Sequence, residues 1–307
     1  MLKNTNRYRP IRTRLATMAL AAITLITGVG VASTSTAQAA SPTTRTVLLV
    51  HGMPGPLDIF ASKVDCNDAA MTAWAKGLRA RGITNVLTVG YNANDINCNL
   101  RVPGIANNTM NTSLDEVALE LAQLIWNNYS SRGVRIAISA HSMGGLIVRR
   151  AITGVMNHDA GFPAYLYVSD VVTSGTPHFG AAVAGVCALT INLQCMQMAA
   201  GLDGLPRHAF IWALSLYGNP QADKLSFVPE GTDWTLIGSW CDSAVGGASS
   251  VAMDNTYRST YSNLWPKLDV HKEVFGWGDP RGCYDHIELI TKTAPLDLIF
   301  RGLTTWD

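Results

Sequence analysis

The sequence predicts an α/β fold, a mostly parallel sheet with helices on both faces, and three observations carry that expectation. Short apolar runs of strand length alternate with segments of helical period along residues 40–307, as they do where strands are joined by crossover helices. Of the 307 residues 48% are hydrophobic and only 15% charged, enough apolar surface to cover a sheet on both sides. One strand runs straight into a helix through small residues, Ala140-His141-Ser142-Met143-Gly144-Gly145.

Taken in order, Thr46 to Val50 (Thr-Val-Leu-Leu-Val) reads as a buried strand. Ala69 to Arg81 is helical, with Trp74 and Leu78 on one face, and Asn85 to Tyr91 is the next strand. An Asn-rich loop around Cys98 leads to Ser113-x-x-Glu116, a capping box, which opens a helix pointing Leu114, Val117, Leu121, Leu124 and Ile125 inward. Val134 to Ala140 is a strand, Met143 to Met156 a helix, and Ser169 to Ser174 a strand ending in Gly175-Thr176-Pro177-His178-Phe179-Gly180. Trp234 to Gly238 forms a further strand, and a last helix runs from Ile287 to Phe300. No internal repeat or low-complexity linker interrupts this order, so one domain with insertions is expected.

The first forty residues are of another kind. Lys3, Arg7, Arg9, Arg12 and Arg14 precede an apolar run from Leu15 to Val31, which is followed by Ala37-Gln38-Ala39. A positive region, an apolar region and a small-x-small site make up a secretory signal peptide, and the run is short for a retained span of roughly 20 residues. Residues 1–39 are therefore expected to be cleaved, after Ala39 or Ala40, leaving no stable membrane anchor. Their removal takes away five positive charges and no negative one, turning the formal +1 into −4. A mildly acidic chain lacks the basic surface that phosphate backbones require, which excludes nucleic acid as an expected partner. All six cysteines (Cys66, Cys98, Cys187, Cys195, Cys241, Cys283) fall in the remaining part, and an even number in an exported chain reads as three disulfides. No Cys/His spacing suggests a metal, and no cofactor is expected.

Ser142 is the candidate nucleophile. A serine hydroxyl reacts only when it is presented to a base, and a strained strand-to-helix turn flanked by small residues presents it. Here Ala140 stands at the first glycine position of Gly-x-Ser-x-Gly. His51-Gly52-Met53-Pro54-Gly55 follows the first strand, where an oxyanion hole takes one backbone N–H, and the other comes from the residue after the nucleophile. That assigns the N–H groups of Met53 and Met143, each worth on the order of 3 kcal/mol when aimed at an oxyanion. The acid and the histidine should follow the serine, in that order. His51, His141, His158, His178 and His208 come too early, leaving His271 and His286. Asp242, just past a strand, competes for the acid role with Asp254, Asp269, Asp279 and Asp285, the last better suited to capping the final helix.

In these pieces the chain resembles the secreted α/β-hydrolases of the bacterial lipase type, the small lipases with an Ala-His-Ser-Met-Gly-Gly elbow and the actinobacterial secreted lipases. The matching stretches are His51-Gly52-Met53, Ala140 to Gly145, Gly175-Thr176-Pro177-His178-x-Gly180, Gly238-x-x-x-Asp242-x-x-Val245 and the histidine before the last helix. The resemblance implies an α/β-hydrolase fold and a carboxylic ester hydrolase, a triacylglycerol lipase or esterase. It also implies a Ser142, Asp242, His286 triad, acting without cofactor or metal. An ester or lipid substrate met at a lipid–water interface and a monomeric, extracellular enzyme complete the expectation. Short-chain esterase, polyester depolymerase, acyltransferase and peptidase are alternatives on the same triad, and a non-catalytic binding protein is an alternative of another class.

Two departures matter. Cys241 stands against the acid, which suggests that it pairs with Cys283, 42 residues on, to clip the loops of Asp242 and His286 together. Such a bridge would be worth about 4 kcal/mol in the chain-entropy model. Proximity then pairs Cys187 with Cys195 and Cys66 with Cys98. The second departure is a long stretch, 181–230, a candidate cap or lid rich in Met196, Met198, Leu202, Phe210 and Trp212, most of whose apolar residues are expected to be ordinary helix packing.

Overall fold

Thr46 is followed by four buried residues, and burial on both faces of a strand is what the middle of a parallel sheet requires. The computed structural model describes residues 43–53, 63–178, 180–181, 193–199, 232–251 and 270–305, all within the second of the two units into which the chain divides, Gln38–Asp307. The expected signal segment, Pro54 and Gly55, Cys187, Asp254, Asp269 and most of 181–230 lie outside the described residues.

Seven parallel strands follow the order β3-β2-β1-β4-β5-β6-β7. They are β1 (Thr46–Val50), β2 (Val86–Gly90), β3 (Leu100–Arg101), β4 (Ile136–His141), β5 (Val168–Ser174), β6 (Asp233–Ser239) and β7 (Val270–Phe275). From β1 the chain builds outward to β2 and β3, then returns to lay β4 on the other side of β1 and builds outward again. The strand order thus reverses between β1 and β4, and open α/β sheets bind their ligands in the crevice outside the strand ends at such a point.

Alternation along each strand splits the core in two. Leu48, Val50, Ile136 and Ile138 pack with Leu114, Leu121 and Ile125 of α2 (Leu114–Asn128) and Leu146 and Ile147 of α3 (Met143–Met156). On the opposite face Val47, Leu49, Ala137 and Ile237 meet Trp74 and Leu78 of α1 (Ala69–Ala80) together with Leu296 and Ile299 near the C-terminus. Each buried Leu, Ile or Val among them contributes about 1.5–3 kcal/mol by leaving water. Helix starts follow the local chemistry: Asp68 caps α1 by accepting from Met71 N–H, and Ser113 and Glu116 form the reciprocal capping box of α2. The short helix α4 (Leu193–Ala199) puts Cys195 and Met198 in the first core, and Gln197 accepts from the Leu114 N–H at 2.7 Å.

Two expectations are corrected. The strand expected from Val134 begins at Ile136, because Gly133 (φ 71°) closes a 3-10 turn and Val134 remains exposed. The last helix is broken into a 3-10 turn, Ile287–Ile290, and a helix that follows α5 (Gly247–Ser250) as α6 (Thr293–Thr304). Pro295 explains the break. Within a continuous helix from 287 it would clash with the carbonyl four residues back, whereas in the first turn of α6 its missing N–H costs nothing.

Candidate active site

Residues from β1, β4, β5, β6 and the C-terminal segment meet beyond the strand ends. Ser142 follows His141, the last residue of β4, and opens α3 with φ 54° and ψ −131°, a positive-φ conformation that costs a non-glycine residue on the order of 1–3 kcal/mol. The turn is held by Ser142 N–H donating to Ser174 O at 2.9 Å and Gly145 N–H donating to Ser142 O at 3.0 Å. It also needs small neighbours. A Cβ at Gly144 would stand 2.2 Å from the His51 carbonyl oxygen and 2.5 Å from that of Val50, and a Cβ at Gly52 would stand 2.6 Å from Ser142 Cβ. Ala140, by contrast, is a regular strand residue paired with Val50 and Thr173, so its methyl group is accommodated.

Met143 is the first residue of α3, and its N–H belongs to the first turn, which has no intrahelical acceptor. Met53 directly follows Gly52, which is pressed against Ser142. The peptide carrying it is tied down by a buried cluster of His51, Asp95 and Tyr91, to which the sequence motifs assign no role. His51 Nδ1 lies 2.7 Å from the Gly52 carbonyl and Nε2 lies 3.0 Å from Asp95 Oδ2, while its ring stacks on Tyr91 at 4.1 Å. Tyr91 Oη donates to the carbonyls of both His51 and Gly52. Burial raises the Asp95 carboxyl, but bonds from His51 and from the N–H groups of Asn92 and Val64 outweigh it and hold the acid below its ordinary range.

The acid and the base lie over the end of β5. His286 Nδ1 and Asp242 Oδ2 are 2.8 Å apart, and a Cβ at Gly175 would come within 3.0 Å of both. Asp242 is fully buried, and its other oxygen accepts from Ala244 N–H and Val245 N–H. His286 keeps 16% of its side chain accessible. Among the described residues the Ser142 hydroxyl makes no hydrogen bond, and such bonds often tighten only when substrate arrives.

Several ties hold these two loops together. Cys241 and Cys283 form a disulfide, as do Cys66 and Cys98; Cys195 is disulfide-bonded as well. Ser239 Oγ accepts from Cys241 N–H and Tyr284 N–H, both at 3.1 Å. Asp285 Oδ1 accepts from Ser243 N–H, Ser243 Oγ and His286 N–H, so this carboxylate bridges the loops where capping was expected. These donors lower it, the Ser243 N–H most. Of the other candidates, His271 is a residue of β7 and Asp279 pairs with Arg281. His178 is buried between Thr173 and Arg149, and desolvation, aided by Arg149 and Lys272, holds it well below the ordinary histidine range. Among the described residues no cluster of three or more His, Cys, Asp or Glu could hold a metal ion, and no helix is long and apolar enough to cross a membrane.

Comparison with known proteins bears on the family and the fold. A family model described as "Putative serine esterase (DUF676)" matches residues 41–205, more than half of the chain, a stretch that includes Met53, Ser142 and Met143 and ends before Asp242. Among solved structures, Aspergillus fumigatus lipase B is 16% identical with a TM-score of 0.51, covering 85% of this chain and 52% of that one. The mature Bacillus licheniformis lipase BlEst2 is 16% identical with a TM-score of 0.47, covering 86% and 94%. No curated protein matches the chain. At such identities the likeness is one of fold, and the fold is that of the α/β-hydrolases.

Proposed function

The chain belongs to the DUF676 family of serine esterases and is a carboxylic ester hydrolase, and from that premise we propose that it is a secreted lipase working through Ser142, His286 and Asp242. The carrying observation is the 2.8 Å contact between His286 Nδ1 and Asp242 Oδ2 at the end of the sheet where Ser142 is held at positive φ. With Nδ1 committed to the carboxylate, Nε2 is the ring nitrogen left to take the serine proton. Ser142 Oγ attacks the ester carbonyl as His286 accepts that proton, the N–H groups of Met53 and Met143 hold the oxyanion, and His286 returns the proton to the departing alcohol. Water then repeats the sequence on the acyl-enzyme. Asp242 fixes the tautomer of His286 and stabilises its imidazolium.

A lipid ester as substrate is supported by exposed apolar side chains on either side of the acid and base: Trp240 (57% exposed) precedes Cys241 and Asp242, Trp277 (84%) follows β7, and Ile287 (50%) follows His286. Indole rings suit the boundary between water and acyl chains. Secretion, with residues 1–39 removed, rests on the signal-like N-terminus and agrees with the disulfides. N-terminal sequencing of exported protein should begin at Ala40 or Ser41. The substrate reading is tested with nitrophenyl esters from acetate to palmitate and with emulsified triacylglycerol. Rates that rise with chain length and with the emulsion surface are expected; a maximum at acetate with no turnover of the emulsion would make the protein a short-chain esterase.

A further inference from the structure

His286 is gripped at three points. Asp242 takes its Nδ1, Asp285 accepts its backbone N–H at 2.8 Å, and His141 Nε2 lies 3.0 Å from its carbonyl oxygen. A carbonyl only accepts, so His141 Nε2–H is the donor. The first two grips come from the acid loop and from the base loop itself, which the Cys241–Cys283 disulfide, Ser239 and Ser243 already join. None of these ties reaches the nucleophile. Of the polar contacts among the described residues, His141 makes the one between the elbow and the base loop, and it is bonded in sequence to Ser142.

We propose that His141 is a positioning residue that sets the register between nucleophile and base, through its hydrogen bond to the His286 carbonyl and its ring packed against the His286 imidazole. The ring centroids are 4.5 Å apart and tilted by 48°, and the far side of His141 meets the edge of Trp74 at 6.4 Å, so the imidazole is wedged between α1 and the base. Burial holds His141 well below the ordinary histidine range, and the neighbouring charge of His286 works in the same direction. Two imidazoles this close do not both ionise. His141 stays neutral and keeps donating, while the serine proton goes to His286. This role gives the variable position of Ala-x-Ser-x-Gly a specific task, and it rests on the triad reading of Ser142, His286 and Asp242.

The test compares three variants of the full chain on a nitrophenyl ester, with kcat normalised to sites titrated by a serine-reactive phosphonate and with thermal unfolding recorded. His141→Phe keeps a ring and loses the donor. His141→Gln places an amide N–H at about the reach of Nε2, and His141→Asn is one methylene too short. Misplacing a reacting group by about 1 Å can cost about 100-fold. The expected result is a fall in kcat of about 10- to 100-fold for His141→Phe and His141→Asn with KM within about twofold, and recovery to within about fivefold of the parent for His141→Gln. If His141→Phe yields no titratable enzyme, the gap between Gln and Asn reads the same hydrogen bond. Equal kcat in Gln and Asn, or parental kcat in Phe, would overturn the proposal. Failure of the triad reading looks different: Ser142→Ala would then still titrate with the phosphonate.

Discussion

The nucleophile side of the site and the acid–base side are held together by different means. Around Ser142, position is set by packing: a residue at φ 54°, a helix N-terminus, and glycines against which even a methyl group would collide. Around Asp242 and His286, position is set by cross-links between distant segments, namely a disulfide, the doubly accepting Ser239 hydroxyl and the Asp285–Ser243 bridge. The first kind of constraint is local and unforgiving. The second is distributed, so removing one tie should leave the others partly in charge.

Four experiments sharpen that contrast. Asp242→Asn strikes the one cross-linked contact with a chemical role, because an amide favours the wrong tautomer of His286, and a loss of about 10⁴-fold in kcat is expected with the fold intact. A loss under tenfold would move the acid role elsewhere. On the packed side, Gly52→Ala drives a Cβ to within 2.6 Å of Ser142 Cβ and displaces the Met53 peptide, so kcat should fall by about 10²- to 10³-fold, the cost of one oxyanion donor. Near-parental turnover would show that the loop yields more readily than the packing implies.

Removing the clip with Cys241→Ser and Cys283→Ser together should lower stability by about 4 kcal/mol in the chain-entropy model, seen in the denaturant midpoint. The remaining ties should keep kcat near the parental value at 25 °C, and an activity loss as large as that of Asp242→Asn would show that the ties are not shared. The smallest effect concerns pH. His141 and His178, both depressed by burial, refuse in the folded state a proton that the unfolded chain accepts below about pH 6.5. Their contribution is therefore complete above that pH and declines as pH falls, by about 1.4 kcal/mol per unit for each histidine. Urea midpoints at pH 7.5 and 5.5 should differ in that direction, and a flat profile would contradict two buried neutral imidazoles.

The same contrast explains what could be read in advance. Packing constraints write themselves into adjacent residues, so β1, α3 and the Ser113–Glu116 capping box were legible to the residue, and the elbow showed in Ser142 and Gly144. Cross-links leave little local trace. Asp285 looked like a helix cap because Glu288 stands three residues on, and the Glu288 carboxylate does accept from Asp285 N–H, yet the Asp285 carboxylate reaches 42 positions back to Ser243. Asp95 carried no signal at all: it sits 44 residues from His51, and only the register of β1 with β2 brings the two together. The clip is the exception: a cysteine beside the acid and another shortly before the histidine suggest the Cys241–Cys283 pair, and that disulfide is present. Pro295 is the local signal that the last helix begins late, at Thr293.

The most direct test of the account is to treat the intact protein with a serine-reactive phosphonate and locate the adduct by peptide mass spectrometry, with Ser142→Ala in parallel. One adduct, on the peptide carrying Ser142, and neither adduct nor ester turnover in the folded Ser142→Ala protein, are predicted. An adduct on another residue, or hydrolysis that survives in Ser142→Ala, would contradict it.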